Sequence, residues 1–152
     1  MISSIQVINM KKLFCDGMIY DTDKQKFIRA DILTDDTKII KIEEEVDILE
    51  ADEIVDCSGK YIVPGFVDVH SHGRTLHDFN TADEAGVRDV RSSYAAVGTT
   101  TFMATLASAP LEALYASIDA IGKNRDEVPG IASIGGVHLE GRYLSKIRRG
   151  AH

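Results

Sequence analysis

From Lys12 to Cys57, short apolar runs alternate with turn residues, and after residue 80 the apolar spacing becomes helical. In the first stretch Leu13-Phe14-Cys15 and Met18-Ile19-Tyr20 flank Asp16-Gly17, a dipeptide suited to a tight hairpin. Phe27 to Leu33 and Lys38 to Ile42 predict two more strands around a turn at Asp35-Asp36; in the second, Ile40 and Ile42 alternate against Lys41 and Glu43. Ile54-Val55-Asp56 and a turn at Ser58-Gly59 close this part. In the second stretch, Val87, Val90, Tyr94 and Val97 share one helical stripe that Gly98 ends. Leu111, Leu114, Ile118 and Ile121 form another after Pro110, with Gly122 near its end.

Three strand-like runs separate these helices. Ile62 and Val63 lead through a bend at Pro64-Gly65 into Phe66, Val67 and Val69, an apolar run that predicts a buried strand. Thr99 to Leu106 is rich in β-branched residues, and Ile131 to Gly141 alternates, Val137 and Leu139 against His138 and Glu140. Pro129-Gly130 marks the turn between. Strand, helix, strand, helix, strand is the βαβ order of a parallel α/β fold. The chain thus divides into a leader over residues 1–11, a β segment over 12–60 and an α/β segment over 61–152.

Composition narrows the function classes. A net charge of -7 with no basic stripe argues against nucleic acid as a partner. No stretch approaches the roughly 20 apolar residues of a membrane span, and residues 1–9 lack the basic start and long apolar core of a signal peptide, so the cytoplasm is the expected location. Cys15 and Cys57 have no paired spacing and read as reduced structural thiols. Glu43-Glu44-Glu45 reads as a solvated acidic patch.

The candidate chemistry sits where the first parallel strand ends, at His70 and His72. Side chains in a strand repeat with period two, so both imidazoles face one way. Two neutral imidazole nitrogens converging at a strand end make half of a divalent-metal site. His138 shares the face of Glu140 on the third strand and is either a site residue or an interior histidine; His77 reads as a surface loop residue. Lys146, Arg148 and Arg149 either attract a phosphate or form a solvated basic loop.

Pro-Gly-Phe-Val-Asp-Val-His-Ser-His-Gly, residues 64–73, resembles the first barrel strand of the amidohydrolase superfamily, metal-dependent hydrolases on a (β/α)8 barrel. Gly136-Val-His-Leu-Glu-Gly-Arg-Tyr-Leu-Ser-Lys-Ile-Arg-Arg-Gly-Ala-His152 is similar to the third-strand signature of the N-acetylglucosamine-6-phosphate deacetylases. The resemblance implies a small β-sandwich segment followed by the first three strands of an incomplete TIM-type barrel. A closed barrel needs roughly 250 residues, so the 152 here read as the first part of a larger protein. It further implies that Glu140 joins His70 and His72 as a metal ligand, and that Ala151 and His152 contact the sugar. At the chain's end, those last two residues are expected to be disordered. The implied cofactor is a divalent ion (Zn, Fe, Mn, Co or Ni), with two in the full-length protein and Glu140 as a bridging ligand. The implied reaction is deacetylation of N-acetylglucosamine 6-phosphate to glucosamine 6-phosphate and acetate by a homodimer. The aspartate that serves the family as general acid is expected beyond residue 152, so the chain alone is expected to be inactive. Related amidohydrolases of cyclic amides or other N-acyl sugars, and a non-catalytic metal- or partner-binding fragment, are the alternatives. One departure stands out: family members usually carry proline after the Glu-Gly, where this chain has Arg142.

Overall fold

The computed structural model describes residues 10–152, so residues 1–9 of the expected leader lie outside the described residues. Contacts divide the chain into two compact units, one up to Pro64 and one from Gly65. No described helix is long and apolar enough to cross a membrane.

The first unit is one mixed sheet of five strands: β1 (Lys11–Asp21), β2 (Lys26–Asp35), β3 (Lys38–Glu43), β4 (Glu53–Asp56) and β5 (Tyr61–Ile62). Their order is β3-β2-β1-β4, with β5 also paired to β1. The second sheet that a sandwich needs is not among the described residues. Asp16-Gly17 corrects the expected hairpin. Β1 runs straight through it, and the register against β2 shifts between Phe14 and Gly17, so the dipeptide forms a bulge. Asp16 takes the positive φ (61°) such a bulge needs. Its N–H donates to Oδ1 of the buried Asp31 at 2.9 Å, whose Oδ2 accepts from the Val46 N–H at 3.0 Å. The hairpin lies at residues 22–25 instead. In β3, Ile39, Ile40 and Ile42 are exposed, because the strand is an edge of the sheet. Both cysteines are free thiols.

The second unit is built on a parallel sheet, β10-β9-β6, from β6 (Phe66–Ser71), β9 (Thr99–Leu106) and β10 (Ser133–Leu139). Between β6 and β9 come a two-stranded ribbon, β7 (Gly73–Arg74) with β8 (His77–Asp78), and helix α1 (Glu84–Ala95); α2 (Leu111–Gly122) joins β9 to β10. Asp83 caps α1 by accepting from the Gly86 N–H at 2.8 Å, and Gly98, at φ 83°, follows its end. Val87, Val90 and Tyr94 bury the expected stripe, but Val97 lies past the helix end and is exposed. The core gathers these with Phe79, Phe102, Ala104, Leu106, Leu114, Ile121 and Ile134. Phe102 is its centre, with the Tyr94 ring stacked 4.8 Å away and the Phe79 ring 5.6 Å away.

A charged side chain fastens this unit together. Arg91, 1% exposed, donates Nε to the Ala132 carbonyl at 2.8 Å and Nη2 to that of Asp126 at 2.9 Å, with Nη1 on Asn124 O. The guanidinium thereby ties α1 to the segment entering β10. Burial pushes its pKa down, but it keeps a hydrogen bond on each nitrogen.

Β6 departs from the buried strand that its apolar sequence predicts. Phe66, Val67 and Val69 are 67%, 63% and 68% exposed. The strand is an edge of its sheet, and α1 reaches it through Tyr94, whose hydroxyl bonds Ser71 Oγ and donates to Asp68 Oδ2 at 3.3 Å.

Candidate metal centre

Parallel pairing puts the C-terminal ends of β6, β9 and β10 side by side, and the polar cluster stands there. His70 is the penultimate residue of β6 and His72 follows the strand. Glu140 follows β10, its N–H held by the Leu106 carbonyl at 2.9 Å. One ligand atom from each of the three lies within 4.8 Å of the others. Glu140 Oε2 is the meeting point, 2.8 Å from His72 Nε2 and 3.4 Å from His70 Nε2. The two imidazoles meet edge to face, with centroids 5.3 Å apart. All three side chains are partly open to solvent, so an ion has a path in.

The backbone beneath is shaped for this. Gly73, directly after His72, adopts φ 132°, and a Cβ there would stand 2.0 Å from the His77 carbonyl oxygen. Only glycine permits the chain to fold back into the β7–β8 ribbon at that point. The Ser71 N–H donates to Thr105 Oγ1 at 3.1 Å, fastening the end of β6 to buried β9.

Electrostatics favours a cation. Desolvation pushes the Glu140 carboxyl up, but the hydrogen bond and charge of His70, with His152 and His72, outweigh it and hold the group below the usual carboxylate range. The site therefore offers an ionised carboxylate and two imidazoles, a donor set suited to a divalent transition ion. Taking up the ion displaces whatever protons occupy the two Nε2 positions.

His152 departs from the disorder expected at the chain's end. Its Nε2 lies 3.7 Å from Glu140 Oε1, and its Nδ1 accepts from the Ser108 N–H at 3.5 Å. Ala151 is exposed in the adjoining turn. Lys146, Arg148 and Arg149 are exposed on the same loop. His77 stands apart, 3.5 Å from Asp89 Oδ2. Arg142 does not pair with Glu140; its N–H donates to Ser108 Oγ at 2.8 Å, its φ is 95°, and its guanidinium lies 5.6 Å from the Tyr143 ring. A proline could not adopt that φ, so this loop cannot hold the proline expected of the family at this position.

Sequence reasoning missed Ser108 and Thr105. Ser108 lies just past β9, and its hydroxyl also donates to the Glu140 carbonyl at 3.4 Å, so it joins Glu140, Arg142 and His152. Asn80 makes a similar clasp, pairing both amide atoms with the Ala107 backbone at 2.9 and 3.0 Å. These bonds join positions 27 to 44 residues apart, and no local pattern announces them.

No family model matches the chain. The N-acetylglucosamine-6-phosphate deacetylase of Bos taurus is 36% identical over 129 residues, which cover 83% of this chain and 30% of that protein. Among solved structures, the N-acetylglucosamine-6-phosphate deacetylase of Pasteurella multocida superposes with a TM-score of 0.81 at 24% identity, over 93% of this chain and 37% of that one. That of Thermotoga maritima gives 0.69 at 30% identity, over 92% of this chain and 35% of that one. The chain spans about a third of the length of these relatives.

Proposed function

We propose, for a chain that matches the N-terminal portion of the N-acetylglucosamine-6-phosphate deacetylases in sequence and in fold, that its second unit is the metal-binding part of an amidohydrolase barrel. The reaction would be hydrolysis of the acetamide of N-acetylglucosamine 6-phosphate, releasing acetate and glucosamine 6-phosphate. The observation that carries this reading is the convergence of His72 and His70 on one oxygen of Glu140, at the ends of parallel strands. Barrel enzymes place their chemistry at that end of the strands.

His70, His72 and Glu140 would hold the ion, which when bound lowers the pKa of water and polarises an amide carbonyl. The chain's own residues do the rest of the local work. The carboxylate of Glu140 stays ionised below the usual range and anchors both imidazoles. Because Ser108 donates to Nδ1 of His152, the neutral ring carries its proton on Nε2 and presents a donor beside Glu140. That donor suits an acyl oxygen or a sugar hydroxyl. Protonation of a leaving amine needs a general acid, and in this reading none of His70, His72 and Glu140, which hold the ion, takes that part. The 152 residues therefore bind the ion without turning substrate over, and measurable acetate release by the purified chain would refute this.

A chimera tests the reading. Residues 65–152 replace the matching stretch of the Thermotoga maritima deacetylase, and acetate release from N-acetylglucosamine 6-phosphate is followed. The expected result is turnover that His72→Ala abolishes. A folded, metal-loaded chimera that releases no acetate contradicts the proposal.

A further inference from the structure

Thr105 is fully buried in β9, and its hydroxyl has two polar neighbours among the described residues. The Ser71 N–H points at Oγ1 from 3.1 Å and uses it as an acceptor. The other neighbour is Nδ1 of His138, at 3.2 Å. A hydroxyl sealed from water keeps its own proton in a hydrogen bond. Backbone N–H groups only donate, so the Thr105 proton goes to His138. Nδ1 of His138 is then a bare acceptor, and the neutral ring carries its hydrogen on Nε2. The opposite tautomer would bring two donors to Oγ1 and leave the buried hydroxyl proton with no acceptor.

The ring so held belongs to the cluster's wall. His138 lies two residues before Glu140 on β10, and its ring meets that of His70 edge to face, with centroids 4.9 Å apart. The two nitrogens of an imidazole point in nearly opposite directions, so fixing Nδ1 on Thr105 turns the Nε2–H away from β9. We propose that His138 is a fixed hydrogen-bond donor in the cleft of His70, His72 and Glu140, locked as its Nε2–H tautomer by Thr105, and that it takes a carbonyl or carboxylate oxygen. It is a specificity-determining residue and not a further metal ligand, since freeing a lone pair on Nε2 would move the hydrogen to Nδ1 and cost the bond from Thr105. Thr105 is the positioning residue. The assignment rests on the wall of the cleft and does not depend on whether an acetamide is hydrolysed there.

Histidine tautomers are read directly by long-range proton–nitrogen correlation on the ¹⁵N-histidine-labelled chain, with no substrate present. His138 is expected to show an unprotonated Nδ1 and a protonated Nε2, both without metal and after zinc is added. Zinc should shift the Nε2 signals of His70 and His72 and leave the tautomer of His138 unchanged. Thr105→Val should give a tautomer mixture at His138, and Thr105→Ser should restore the wild-type pattern. Acetate, added as the oxygen probe to the zinc-treated chain, should shift the His138 Hε2 resonance. A protonated Nδ1 in the wild type, zinc on His138 Nε2, or an unchanged tautomer in a folded Thr105→Val chain overturns the lock. A His138 Hε2 indifferent to acetate overturns the donor role. Should Thr105→Val not fold, the wild-type and Thr105→Ser spectra decide.

Discussion

Glu140 and Arg91 show how differently two charged side chains can be used. Glu140 is a shared acceptor for two imidazoles, and its carboxyl is held below the usual range. A depressed carboxyl contributes stability that is present above its ordinary pKa and lost as pH falls through the folded value. Glu140→Gln should therefore flatten the acid limb of the stability profile, which urea titrations from neutral pH down to about pH 3 will read. Arg91 has a structural task, three carbonyl partners inside the fold. Arg91→Met leaves those carbonyls short of a donor and should cost about 2–4 kcal/mol, measured by urea denaturation, with metal binding retained in the folded fraction. Residue-scale legibility was uneven. The pairing of His70 with His72 could be read because strand side chains repeat with period two. Glu140 was placed beside them by resemblance. Thr105 and Ser108 could not be seen, because their roles are bonds to residues 33 and 44 positions away.

At the scale of elements, the same signals have more than one structural outcome. Asp-Gly supplies a positive φ, which a bulge uses as readily as a hairpin, and only pairing with β2 decides between them. An apolar run such as Phe66 to Val69 announces a strand but not what covers it, and β6 is an edge. Helix α1 was legible from its apolar stripe and the glycine that follows, α2 from an apolar stripe after Pro110, and strand β9 from its β-branched residues. Two substitutions test the local devices. Asp83→Ala should cost about 1 kcal/mol by removing the cap of α1, seen as a lower urea midpoint. Gly73→Ala forces a Cβ to within 2.0 Å of the His77 carbonyl at φ 132°. It should cost on the order of 2 kcal/mol or more, and lower zinc affinity because His72 is the preceding residue.

For the molecule as a whole, the three-stranded parallel sheet brings residues 70, 72 and 140 to one place across 70 positions of sequence. That arrangement, beside the likeness to the deacetylases, is what the metal-centre account rests on. The direct measurement is the divalent-metal content of the purified chain after dialysis, with His70→Ala and Glu140→Ala alongside. The account predicts about one ion per wild-type chain, and loss of it in both variants while their far-ultraviolet circular dichroism stays that of the wild type. A folded wild-type chain that holds no ion, or variants that keep it, would contradict the account.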